Sequence, residues 1–223
     1  PASAATKYVS GSPELSASVM GTNEFSPGEE ATITILVRNT GVSTLKQLNQ
    51  GKTPLHPKPI SITKQTTVKT DDKEAEVHVQ VVLQYNDSYN DQVLCYTNTV
   101  YNPDGGAHLS GFRSALTRAI NQFARSNELL KEKDPQITGD DVREGLAAVV
   151  SIKHSDPKFE SQTKVKLLSP EVESIVGSIS YEGLMMCFET NPSVGKRIVD
   201  KSLNAARARE AARKARETVR KGA

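Results

Sequence analysis

The chain has 223 residues, enough for one large domain or two small ones; 36% are hydrophobic, 24% are charged, and none is tryptophan. That composition fits a water-facing protein with a modest core. No apolar stretch approaches the roughly 18 residues of a membrane-crossing helix, so no membrane span or membrane partner is expected. The net charge of +2 is unevenly spread: residues 192–223 hold ten Lys or Arg against three Asp or Glu, while the remainder carries 18 basic and 23 acidic residues. A basic tail on a mildly acidic body suits a polyanionic partner.

In chain order, Ser, Thr, Gly and Ala dominate up to Gly21. The alternation of Glu29 to Arg38 predicts one strand, preceded by a Ser26-Pro27-Gly28 turn and followed by Asn39-Thr40-Gly41. Pro54, Pro57 and Pro59 make the segment from Gly51 an extended connector. Glu76 to Tyr85 alternates, placing Val77, Val79, Val81, Leu83 and Tyr85 on one face. With turn residues at 86–91 and a returning strand from Gln92 to Tyr101, it reads as a hairpin.

Leu109, Phe112, Leu116, Ile120 and Phe123 form one apolar stripe of a helix. Thr138 caps a short helix with an acidic first turn, running through Glu144. Leu146 to Lys153 is an apolar, β-branched run expected as a buried central strand. After a loop from Asp156 to Leu168, Pro170 opens a helix carrying Val172, Ile175, Val176 and Ile179. Asn191-Pro192 then caps a last, unusually long helix to about Lys221, with Gly222 as its stop.

The fold class expected is α+β, with helices packed on one face of a sheet. Cys95 and Cys187 read as two reduced core thiols, with no metal-type neighbour. His56 and His108 lack a second ligand at metal spacing, so no metal site is expected. Gly105 to Gly111 lacks the Gly-Lys-Ser/Thr ending of a phosphate loop. Asp140, Asp141 and Glu144 read as cap and first-turn acids, and no catalytic triad is visible.

Six motifs then occur in order: Lys52-Thr53-Pro54-Leu55-His56-Pro57, Leu83-Gln84-Tyr85-Asn86-Asp87, the stretch Asp104 to Arg113, the stretch Thr138 to Leu146, Ser161-Gln162-Thr163-Lys164, and the stretch Ala205 to Ala215. Together they resemble the transducer domain of the DNA gyrase B family, over about four-fifths of the chain. The resemblance implies a sheet with helices on one face, like the second domain of certain ribosomal proteins, ending in a long C-terminal helix. It divides the chain into an atypical segment 1–44, a transducer domain 45–191 and the basic helix 192–223. The first segment resembles instead the start of the extracellular β-sandwich repeats of archaeal surface-layer proteins.

As the resemblance implies, the function is to couple ATP binding and hydrolysis to DNA strand passage and supercoiling, in the cytoplasm. Gln162 and Lys164 fall where family members contact the γ-phosphate of ATP. An ammonium is a point charge for phosphate oxygens and an amide adds a neutral donor, so the residue types fit. The cofactors implied are ATP and Mg2+, with the Mg2+ ligands in an ATPase domain that residues before Lys52 do not resemble. This 223-residue chain alone is therefore expected not to hydrolyse ATP. The partners implied are double-stranded DNA, the gyrase A protein and a second gyrase B protein, paired through the ATPase domain.

The basic helix also has its own logic. At about 100° per residue, Arg209, Arg213, Arg216 and Arg220 fall within roughly 60° of one another. Ala208, Ala212, Ala215 and Val219 lie about a quarter turn away. Without the family, a solvated face is the favoured explanation of such a row; the family's DNA-lining helices turn it into a candidate DNA-facing row. An evenly spaced arginine row contacts backbone phosphates and reads no sequence. The alternatives are the B-type component of a topoisomerase IV, a non-enzymatic extracellular module of surface-layer type, and a plain basic-helix nucleic-acid binder.

Overall fold

A computed structural model of the chain describes residues 15–20, 34–39, 41–70 and 73–221. Strands β1 (Leu15–Met20) and β2 (Thr34–Asn39) pair antiparallel, with Leu15 opposite Asn39 and Met20 opposite Thr34. The strand expected at 29–38 thus overlaps β2, while β1 has no counterpart among the expected elements. The turn at 26–28 and the stop at Gly222 lie outside the described residues.

Helix α1 (Gly41–Leu48) comes next and buries Leu45 against Val82 and Ala147. The connector then leads into a mixed five-stranded sheet. Its strands are β3 (Ile60–Thr70), β4 (Lys73–Tyr85), β5 (Gln92–Thr97), β6 (Val100–Tyr101) and β7 (Leu146–His154), in the order β3-β4-β7-β5-β6. Helices α2 (Ala107–Ser126), α3 (Gly139–Arg143), α4 (Pro170–Thr190) and α5 (Pro192–Lys221) complete the chain.

Two expectations are corrected here. The strands β4 and β5 do not form a hairpin, because β7 lies between them, antiparallel to β4 and parallel to β5. The hairpin partner of β4 is β3, in register from Ile60–Leu83 to Thr70–Lys73. The reason is where the turn's hydrogen bonds go: the N–H of Asn86 donates to Gly145 O, just ahead of β7, and not to the returning strand. The strand expected at 92–101 is also broken. Asn98 and Thr99 adopt φ of 48° and 70°, folding β6 back onto β5.

The apolar face of β4 behaves as its alternation requires: Val77, Val79, Val81, Leu83 and Tyr85 are all fully buried. Against it and against Ala148, Val150 and Ile152 of β7 lie Phe112, Leu116 and Ile120 of α2, and Val172, Val176, Leu184 and Phe188 of α4. Burying each such side chain stabilises by about 1.5–3 kcal/mol relative to exposure, which makes this layer the principal source of stability. The helices α2 and α4 approach closely at Gly111, where an added Cβ would sit 2.3 Å from Glu173 O. Phe123 near the end of α2 meets Phe188 with ring centroids 5.2 Å apart, and its ring lies over Gly195 of α5. The α5 helix is buried only as far as Ala206; from Arg207 every residue but Glu210 is exposed. Beyond Arg209, which is still bonded to the body, its last dozen residues extend about 18 Å.

Candidate functional site

The loop after β7 is rigidly rooted. The N–H of Asp156 donates to His154 Nδ1 (3.0 Å), and His154 Nε2 faces Glu171 at 3.1 Å. Lys158 N donates to Ser169 Oγ (2.9 Å), joining the two ends of the loop. Phe159 and Leu167 then bridge as in a short antiparallel ladder, extended by Glu160 N to Lys166 O at 3.0 Å. At the tip, Lys164 N donates to Ser161 O (3.1 Å), so Gln162 and Thr163 are the central residues of a tight turn. Lys164 follows in the left-handed region, φ 56°, which costs a side-chain-bearing residue about 1 kcal/mol.

The tip presents donors to solvent. Gln162 and Lys164 are both exposed and stand two residues apart, so the structure brings these two predicted site residues together. The Lys164 ammonium has no carboxylate within salt-bridge distance among the described residues and stands 5.9 Å from the Phe159 ring. Its neighbour Lys166 is instead paired with Glu160 at 3.1 Å. An uncommitted ammonium beside an exposed amide fits the terminal phosphate of a nucleotide. Among the described residues no group of three His, Cys, Asp or Glu is placed to hold a metal ion.

The loop is also bonded to the start of α2. Leu167 N donates to Gly105 O, Ala107 N to Leu167 O, and Asp104 N to Val165 O, at 2.9, 2.9 and 3.1 Å. Gly106, at φ 122°, lies so close that an added Cβ would be 2.1 Å from Leu167 O; no side chain fits there.

The four arginines of the predicted row do not share one state. Arg209 binds Asp141 with Nε to Oδ1 at 2.9 Å and Nη2 to Oδ2 at 3.0 Å, and Nη2 also donates to Gln136 O. Arg213 is held between Glu210 and Glu217, whose carboxylates keep its guanidinium firmly charged. Arg216 and Arg220 are exposed and form no ion pair among the described residues. With Ala212, Ala215 and Val219, they line a shallow depression along the projecting part of α5.

Sequence reasoning missed the long-range pairing of the motifs. Lys52 to Pro57 lies against Leu83 to Asp87: Leu55 N donates to Tyr85 O (2.7 Å), Tyr85 N to His56 Nε2 (3.2 Å), and Gln84 Nε2 to His56 O (2.8 Å). The Asp104–Arg113 stretch meets the chain just past Lys164, at Val165 and Leu167, and the Thr138–Leu146 stretch meets the Ala205–Ala215 stretch through Asp141 and Arg209. His56 and His108 are buried residues of this scaffold. Burial lowers both, His108 to about 4. Of the two free thiols, Cys95 is buried and pushed up to about 12, while Cys187 is only half-buried, which corrects the reading of two core thiols.

The profile of the family described as DNA gyrase B matches residues 42–218. The DNA gyrase B protein of Mycobacterium leprae is 46% identical over 180 residues, covering 81% of this chain and 25% of the relative. Its Thermus thermophilus counterpart is 47% identical over 179 residues, covering 80% and 27%. The crystal structure of the 43K ATPase domain of Thermus thermophilus gyrase B, in complex with an aminocoumarin, superposes with a TM-score of 0.71 at 42% identity, over 84% of this chain and 48% of that one. The topoisomerase IV ATP-binding domain of Francisella tularensis shares the fold, with a TM-score of 0.60 at 24% identity, over 79% of this chain and 46% of that one. The chain thus spans about a quarter of the length of the curated relatives. The resemblance of residues 1–44 to surface-layer repeats gains no support from these matches.

Proposed function

The chain belongs to the DNA gyrase B family, and from that premise we propose that it relays nucleotide binding to DNA movement in an ATP-dependent type II topoisomerase. Gln162 and Lys164 contact the γ-phosphate of ATP, whose cleavable anhydride supplies the driving chemistry when bound. The observation that carries this reading is the loop tip itself: two exposed donors, one an uncommitted ammonium, held on a turn whose base is hydrogen-bonded to α2. The helix α2, about 30 Å long, leads from that base to Phe123, which packs on the root of α5. A displacement at the tip thus has a stiff path to the projecting basic helix.

In the same reading residues 1–44, 45–191 and 192–223 are an atypical N-terminal segment, the transducer and its basic helix, with α1 spanning the first boundary. Arg209, Arg213, Arg216 and Arg220 form the DNA-side row, with Arg216 and Arg220 as its uncommitted members. The partners are double-stranded DNA, the gyrase A protein and a second gyrase B protein, in the cytoplasm. No helix among the described residues is long and apolar enough to cross a membrane. Mg2+ is held by residues of a nucleotide-binding domain, and the 223-residue chain alone does not turn over ATP. The high identity to gyrase relatives favours gyrase over topoisomerase IV.

The test is Lys164→Ala in an intact gyrase B protein carrying this segment. Steady-state ATP turnover should fall by about 100-fold, the usual effect of removing one donor from a developing charge. Unchanged turnover would overturn the assignment.

A further inference from the structure

We propose that Asn102 is a positioning residue for Lys164, an inference that rests on the γ-phosphate reading above. Asn102 is 1% exposed and sits where β6 gives way to the Asp104–Gly106 turn. Its Nδ2 donates to Lys164 O at 2.7 Å, and its Oδ1 accepts from Thr97 Oγ1 at 2.8 Å. The backbone N–H of Asn102 donates to Cys95 O (2.8 Å), so the side chain is launched from an immobile point in the sheet. Thr97 is fully buried, and the Lys164 carbonyl, which can only accept, fixes which end of the amide faces the loop. One side chain therefore joins the buried end of β5 to the carbonyl of the residue that presents the ammonium.

The geometry explains why such a tether is needed. Lys164 occupies the left-handed region, which a lysine does not prefer, and the turn bond from its own N–H to Ser161 O leaves its carbonyl free to rotate away. The Asn102 amide captures that carbonyl from a rigid base and so selects the left-handed backbone that carries the ammonium on the outer side of the tip. The other bonds from the loop to the start of α2, at Leu167 and Val165, hold its stem, while the bonds Lys164 N to Ser161 O and Ser161 Oγ with Thr163 Oγ1 are internal to the tip. Glutamine at 102 would carry the same donor one methylene too far. An aspartate would keep the acceptor for Thr97 but face the Lys164 carbonyl with a second acceptor.

The experiment is a double-mutant cycle in an intact gyrase B protein carrying this segment, with Asn102→Ala, Lys164→Ala and the pair. Asn102→Ala is expected to lower kcat for ATP about 10-fold with little change in KM, as for a misplaced group. The double variant is expected to match Lys164→Ala alone, because Asn102 has nothing to position once the ammonium is gone. Effects that multiply, or an Asn102→Ala variant with unaltered kcat beside an impaired Lys164→Ala, would overturn the proposal and leave the phosphate reading standing. Full activity of Lys164→Ala would remove both. In the 223-residue chain, Asn102→Asp should speed hydrogen exchange at the Lys164 amide while the β7 amides keep their protection. Equal acceleration in β7 would make Asn102 merely structural and overturn the inference.

Discussion

Arg209 grips Asp141 at two points, Nε to Oδ1 at 2.9 Å and Nη2 to Oδ2 at 3.0 Å, and so pins the basic helix to the start of α3. Asp141 is buried and is already held by the N–H and hydroxyl of Thr138, at 2.8 and 2.7 Å. Local pattern alone assigns Asp141 to a helix cap and Arg209 to an arginine row. Nothing local announces that one binds the other across 68 positions.

Asp141→Asn should therefore destabilise the fold by about 1–3 kcal/mol, the range for a buried hydrogen bond to a charged partner. Burial alone would raise the Asp141 carboxyl; the Arg209 fork and the Thr138 donors outweigh it and hold the carboxyl below its ordinary value. A depressed carboxyl stabilises above the usual carboxylate range and loses that contribution as pH falls below about 4. Urea unfolding of wild type and variant at pH 7 and pH 3 measures this: the difference between them should shrink at pH 3.

On the projecting half of α5, Arg216→Ala and Arg220→Ala should each weaken binding to duplex DNA. Each should lower the slope of log affinity against log salt by about one, irrespective of DNA sequence. Arg213→Ala should do less, since that guanidinium is shared by Glu210 and Glu217. Fluorescence anisotropy across a salt series is the measurement. Slopes unchanged in all three variants would remove the DNA-facing assignment.

His108 makes stability fall as pH drops below the ordinary histidine value. Its ring is fully buried with neither nitrogen hydrogen-bonded among the described residues, and burial lowers it to about 4 from 6.5. Between those values the unfolded chain binds the proton and the folded chain does not. Stability is thus complete above about pH 6.5 and declines as pH falls toward 4, by about 3 kcal/mol at most. His56, lowered by its burial, adds a loss of the same sign. Denaturant unfolding between pH 7.5 and 5 should show the decline, and His108→Leu should flatten it; an equal decline in the variant contradicts this origin.

Much of the fold was legible, and the failures have physical causes. Strand β4 and helices α2 and α4 carry apolar periodicities, β7 an apolar run, and α5 is marked by its Asn191-Pro192 cap. Strand β3 is an edge strand whose exposed Lys64, Gln65 and Thr67 dilute its alternation, so it passed unnoticed. Nearness in sequence suggested a β4–β5 hairpin, whereas β7 returns through α2 and α3 to fill the gap. Among site residues, Gln162 and Lys164 were found through their motif. Asn102 resembles an ordinary turn residue until its amide is seen between Thr97 and Lys164.

The central claim is that nucleotide contact at the loop tip reaches DNA through α2 and the root of α5. Phe123 is the joint on that path, packed between Phe188 and Gly195. The most direct measurement is the number of supercoils introduced per ATP hydrolysed by gyrase reconstituted with a gyrase B protein carrying this segment, with and without Phe123→Leu. The loosened joint should leave ATP turnover largely intact and lower supercoils per ATP. A ratio that stays constant in the folded variant would contradict the relay.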